Sequence, residues 1–330
     1  MNHVRTSRQP HQVAWSRERL EHERAIALGF ALEPASIASY SSALQSYVTF
    51  CRLHNFPIEP TPDTLSFYVV YMSHHIKPTS VKSYLSGICS QLEIFYPTVR
   101  ITRKSQLVVR TLLGCTKLRA VATSQKRPIS NTELLSVYSL LHHIQDHDIK
   151  LFLAIACTCF HGLMRLGECV WPDKLSLQDY RKVIKRSSVF LSADSFAFSL
   201  PFHKADHLFE GNRILITSSN SGNEPISAFT SYISSRDSLF PFNPELWLRA
   251  NGSIPNRRWF LHLLREYFPE GTAGHSFRPG GATYLALRGT APHIIQAVGR
   301  WKSETFRTYI RQHPALLAAL LYTSQSQTVI

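Results

Sequence analysis

The hydrophobic period of this chain changes once, and that change limits the folds open to it. Through residues 34–118 and again through 130–170, apolar side chains recur at spacings of three and four, the pattern of one α-helical face. Ile37, Tyr40, Ala43, Leu44, Tyr47 and Val48 are an example. In SVFLSADSFAFSLPF (188–202) and RILITS (213–218) the pattern becomes short, β-rich runs, as in a small sheet. Helical patterning returns from about residue 224 and continues to the end. The expected class is therefore mostly α with a small antiparallel β-sheet, an α+β fold.

Start signals place the helices more closely. Residues 1–34 are polar and charged, with helical tendency at SRERLEHERAIALGFAL. Pro34-Ala35-Ser36 opens a helix running through Asn55, and Thr61 with Pro62 opens one through His75. A third starts near Pro78-Thr79 and runs through Tyr96; a fourth covers about Ser105–Leu118. The stretch AVATSQKRPI is small, polar and basic, and reads as a linker. Ser130, with Glu133 three positions on, caps the next helix, and IKLFLAIACTCFHGLMRLGECV reads as continuous helix. This divides the chain into a helical domain over 1–120, a linker over 121–129 and a second domain over 130–330. That length is enough for two cores.

Lys and Arg number 36 against 22 Asp and Glu, a formal net charge of +14. A positive charge of that size points to a polyanionic partner, of which nucleic acid is the commonest. The excess is spread along the chain, as a long DNA-tracking face would be. In the first domain Lys77, Lys82, Arg103 and Lys104 are candidate DNA contacts, with the helix SVKSYLSGICS suited to the major groove. A solvated helix face is the plainer reading of each. No apolar run reaches the roughly 18 residues of a membrane span, and the first residues lack the apolar stretch of a signal peptide, so an intracellular location is expected. The six cysteines show no zinc spacing and read as reduced, buried thiols; Cys157 and Cys159 read as helix core. No metal and no other cofactor is expected.

Four separated features in the second domain carry chemistry. They are Arg165 and Glu168 in HGLMRLGE, Lys204 at the tip of the expected hairpin, His275-Ser276-Phe277-Arg278 followed by Pro279-Gly280-Gly281, and VGRWKSETFRTYIR with Trp301 and Tyr309. Singly, each has a plainer reading: Arg165 a helix cap, Glu168 a structural group and not a catalytic one, Lys204 a solvated turn lysine, Trp301 core, Tyr309 one of 13 tyrosines. A second H-x-x-R, His262 to Arg265, lies in an unbroken helix and reads as its face. Order and spacing together carry the assignment.

In that order these residues resemble the tyrosine recombinase and integrase family. K-x-D-x-x-x-x-G after Phe202, and G-R-W ahead of Y-I-R, look most like the Crypton and DIRS-type members of eukaryotic mobile elements. Trp301 and Tyr309 stand eight positions apart, a shorter spacing than in many bacterial members, which implies a tightened turn. The resemblance implies a helical core-binding domain followed by a tyrosine recombinase catalytic domain, clamped around double-stranded DNA. It also implies a homo-tetramer on two duplexes, with a nuclear location if the source is eukaryotic. PALLAALLYT after Tyr309 would pack on its own domain or on a neighbour.

Each group has a physical reason. Cleaving a phosphodiester without metal needs a nucleophile, neutralisation of charge at phosphorus and an acid for the leaving oxygen. Tyr309 would be the nucleophile. Arg165 and Arg278 would grip the non-bridging oxygens as planar, permanently charged forks. Lys204 would protonate the departing 5′ oxygen, His275 would take or relay the tyrosine proton, and the Trp301 indole would donate to phosphate. A 3′-phosphotyrosine conserves bond energy, so rejoining needs no ATP. The same residues would also serve a type IB topoisomerase, or persist in a domesticated, silent DNA-binding protein.

Overall fold

The computed structural model describes residues 14–119, 127–202, 212–218 and 224–301. The chain divides into two compact units, 1–123 and 124–330.

The described part of the first unit is helical: α1 (Arg17–Phe30), α2 (Pro34–Leu53), α3 (Pro62–His75), α4 (Pro78–Leu92), α5 (Val99–Arg103) and α6 (Gln106–Leu118). Proline opens α2, α3 and α4, where its missing N–H has no helical partner to lose. Thr61 and Thr64 close a reciprocal cap on α3, with backbone-to-hydroxyl bonds of 2.9 and 3.1 Å. The core is formed by Tyr47 and Phe50 of α2, Leu65 and Tyr68 of α3, and Leu85 and Ile88 of α4. Tyr47 and Tyr68 meet edge to face at 5.4 Å. A Cβ at Gly87 would come within 3.0 Å of both Tyr40 Cα and Ala43 Cβ, so this glycine lets α4 approach α2. Helix α4 ends four residues before Tyr96, and α5 follows where the sequence pattern gives no separate helix.

The second unit is built on α8 (His147–His161), which is buried from Leu151 through Phe160. An element apolar all round must sit inside, and α7 (Asn131–Leu141), α10 (Glu224–Leu239) and α12 (Phe277–Leu287) pack against it. Ser130 and Glu133 form the expected capping box on α7. Strands β1 (Phe190–Leu191), β2 (Ser195–Leu200) and β3 (Asn212–Thr217) make an antiparallel sheet in that order. Ser195 pairs with Thr217 and Leu200 with Asn212. On β3 Ile214 and Ile216 are buried while Arg213, Leu215 and Thr217 are exposed, the period-2 signature of a sheet covered on one face. Phe196 stacks on Phe229 of α10 at 3.8 Å. Among the described residues the other α-helices of this unit are α9 (Leu166–Cys169), α11 (Arg257–Tyr267) and α13 (Pro292–Val298). Among the described residues no helix is long and apolar enough to cross a membrane.

One expectation is corrected. The run 149–170 is not one helix. It breaks after His161, turns through Gly162 and Leu163, and restarts as α9. Leu163 takes a φ of 47°, rare for a side-chain-bearing residue, and is fully buried beside Ala282 and Ile295. Tertiary packing of Leu163 therefore overrides a helical pattern that is apolar on both sides of the break.

Candidate active site

Two glycines set the framework. A Cβ on Gly281 would collide with the carbonyl oxygen of Phe160, and one on Gly280 with that of Ile129. Bare backbone at both positions allows the first turn of α12 to lie against the end of α8 and against the segment entering α7. Ile129 is fully buried and its N–H bonds the Ser276 carbonyl at 3.1 Å. A Cβ on Gly274 would run into Leu166, so the loop before α12 also rests on α9. These contacts bring His275, Arg278 and Arg165 into one region.

Arg165 is the residue before α9, not the end of a longer helix. Its backbone N–H donates to Glu168 Oε2 at 2.9 Å, and its Nη1 donates to Glu168 Oε1 at 2.9 Å. The carboxylate thus fixes both the main chain and the side chain of Arg165, which stays 30% exposed while Glu168 is 7% exposed. Glu168 is a brace, as its sequence context suggests. The same carboxylate accepts from Arg300 Nη2 at 3.3 Å.

Arg278 is buried in the first turn of α12. Its Nη2 donates to the Gly299 carbonyl, and its guanidinium lies 4.4 Å from the centre of the Trp301 ring. Cation–π contact of that kind orients a planar fork without neutralising it. Trp301 packs on Leu163, Ala282 and Ile295. So of the six expected residues the structure brings together Arg165, His275, Arg278 and Trp301. Lys204, in the connection between β2 and β3, and Tyr309 lie outside the described residues.

His275 is exposed. Desolvation, then the charges of Arg257 and Arg165, hold its imidazole below the usual 6.5. At neutral pH it is an uncharged ring that can accept a proton. Arg257 and Arg300 are the two groups here that sequence reasoning missed. Arg300 carried a signal, an arginine set between Gly299 and Trp301; Arg257 carried none.

Arg165, Arg278 and Arg300 oppose the single carboxylate of Glu168, a local excess of two positive charges (three minus one). With one fork partly exposed and one neutral imidazole, the site is suited to an anionic ester. Among the described residues no group of three His, Cys, Asp or Glu could hold a metal ion. Cys157 and Cys159 are buried core.

Within the first unit a groove of about 700 Å³ is lined by Lys82, Arg103 and Lys104, together with Arg100, over an apolar floor that includes Leu85, Val108 and Leu112. Arg103 donates to the Lys82 carbonyl at 3.3 Å. Lys77 is the residue that precedes α4, with no capping bond from its side chain, and it does not line this groove.

At the level of sequence, no family model and no curated protein matches this chain. Solved structures do. The XerH site-specific recombinase, bound to a palindromic difH substrate in a post-cleavage complex, superposes with a TM-score of 0.59 at 15% identity, covering 86% of this chain and 78% of that one. The Tn1549 transposon integrase bound to transposon right end DNA gives 0.52 at 14% identity, covering 88% and 98%. A lambda integrase dimer on its core site gives 0.52 at 14%, covering 89% and 94%. The chain has the fold of tyrosine recombinase catalytic domains.

Proposed function

We propose that this chain cleaves and rejoins double-stranded DNA as a site-specific tyrosine recombinase. The observation that carries the reading is the pair of braced arginines, Arg165 held by Glu168 and Arg278 held by Gly299 and Trp301, in a fold shared with DNA recombinases. In the first step the Tyr309 oxygen attacks the scissile phosphorus and the bond to the 5′ oxygen breaks. His275 takes the tyrosine proton and Lys204 delivers one to the departing oxygen, leaving a 3′-phosphotyrosine and a 5′-hydroxyl. Arg165 and Arg278 hold the charge that develops on the non-bridging oxygens. A 5′-hydroxyl from a second duplex reverses the step and releases Tyr309. Lys77, Lys82, Arg103 and Lys104 would contact the duplex outside the reacting centre.

Exchange between two duplexes calls for a homo-tetramer on DNA. The G-R-W and Y-I-R context supports integration or excision of a mobile element, within the cell and in the nucleus if the source is eukaryotic. Incubation of two labelled duplexes bearing a sequence selected by the protein from random DNA tests this in excess EDTA. Recombinant duplexes are expected. Relaxation of supercoils without exchange would make the chain topoisomerase-like, and binding without cleavage would make it a silent DNA-binding protein.

A further inference from the structure

We propose that Arg300 is a positioning residue that holds both arginines of the site in register for cleavage; this rests on the phosphate-cradle reading above. Its guanidinium reaches four acceptors on three segments. Nη1 donates to the carbonyls of Gly162 at 3.3 Å and Val298 at 3.0 Å. Nη2 donates to the Leu163 carbonyl at 3.2 Å and to Glu168 Oε2 at 3.3 Å. One side chain therefore ties the turn after α8, the carboxylate on α9 and the end of α13.

Each tie bears on an arginine. Glu168 fixes Arg165, so sharing that carboxylate limits how far Arg165 can collapse onto it. Gly299 and Trp301, the residues flanking Arg300, both hold Arg278. The Arg300 side chain is buried and both of its Nη atoms are taken up by protein acceptors, so it is placed to act through its neighbours.

The backbone argues that the side chain is the purpose of this position. Arg300 has a φ of 54°, in the left-handed region where glycine sits without strain. A turn alone would be better served by glycine. A strained, buried arginine is destabilising here, since burial also disfavours its charge and Glu168 offsets only part of that.

The test uses the full-length chain and a nicked duplex carrying the sequence that the wild-type protein selects from random DNA. A second duplex has a methylphosphonate at the cleavage position, which removes the charge that the arginines must hold. R300G should melt as a folded protein and bind DNA within a few-fold of wild type. Its single-turnover adduct formation on the phosphate duplex should fall on the order of 10²-fold, as for a misplaced catalytic group. On the methylphosphonate most of that deficit should vanish. R300K, which keeps the charge but not the fork, should lie between. Wild-type rates for R300G, or an equal loss on both duplexes, would overturn the proposal by marking Arg300 as a turn residue or a general stabiliser. If R300G does not fold, R300K carries the same two-substrate comparison. A wild-type protein that forms no adduct would remove the function reading itself, whereas an active wild type with an unaffected R300G removes only the role of Arg300.

Discussion

The two basic sites of this chain hold their cations in different ways. In the second unit Arg165, Arg278 and Arg300 are each anchored, by a carboxylate, by carbonyl oxygens or by an indole face, and two of the three are nearly buried. In the first unit Lys82 and Lys104 stand exposed around an open groove. Anchored forks lose their conformational entropy at folding and can stabilise charge at one point in space. Exposed lysines neutralise phosphates wherever these run and are replaced by salt. The difference assigns geometry-dependent chemistry to one site and diffuse, salt-sensitive binding to the other.

Substitutions in the second unit should remove chemistry and leave binding intact. Lys204→Ala should slow cleavage on the order of 10²–10⁴ and Arg165→Ala on the order of 10²–10³, both with near-normal DNA affinity. A duplex with sulfur in place of the bridging 5′ oxygen should restore Lys204→Ala and leave Arg165→Ala slow, because only the former lacks an acid. Equal rescue of both in single-turnover assays would contradict these roles.

The reverse pattern is expected in the first unit. Lys82→Ala, Arg103→Ala and Lys104→Ala combined should weaken binding, and the log–log salt slope should become shallower by up to about 0.9 per lost phosphate contact. The cleavage rate at saturating DNA should not change. An unchanged slope in fluorescence titrations would take the groove out of the DNA interface.

Two glycines extend the contrast to stability. Gly281→Ala drives a Cβ into the Phe160 carbonyl and should cost about 1–3 kcal/mol in denaturant melts. Gly114→Ala, in α6 of the first unit, meets nothing within 4 Å and should stabilise by about 0.5–1 kcal/mol. Equal effects would mean that the close approach of α12 to α8 is not tight.

The smallest effect is electrostatic. Partial desolvation and two arginines disfavour the His275 imidazolium, so its folded pKa lies below the unfolded 6.5. Its contribution to stability is full above pH 6.5 and declines as pH falls below that value, because the unfolded chain then takes up the proton first. In NMR titrations Arg257→Ala should move the His275 midpoint up. A downward move would contradict the placement of that charge.

Much of this architecture is legible in the order of residues alone. Proline and threonine starts mark α2, α3 and α4, and the Ser130–Glu133 pair marks α7, because caps are local chemistry. The strands are legible as short β-rich runs, because branched and aromatic side chains favour an extended, half-buried surface. His275 and Arg278 are separable from His262 and Arg265 because the first pair follows a glycine loop, whereas the second lies on the solvent face of α11. The break at Gly162–Leu163 is not legible: both flanks are apolar, and the residues that pack against Leu163 in its left-handed conformation, Ala282 and Ile295 among them, are distant in sequence. The anchoring of Arg300 is hidden for the same reason, since its acceptors lie as far as 138 positions away. Periodicity reports faces of elements and is blind to a side chain that joins three turns.

In the proposed reaction a protein nucleophile, and not water, opens the DNA strand. The most direct measurement is to trap the protein on a nicked duplex, digest the adduct and locate the modified peptide by mass spectrometry. The account predicts a nucleotide 3′-phosphate on Tyr309, and no adduct from Tyr309→Phe despite retained DNA binding. An adduct on another residue, or one that persists in Tyr309→Phe, would contradict it.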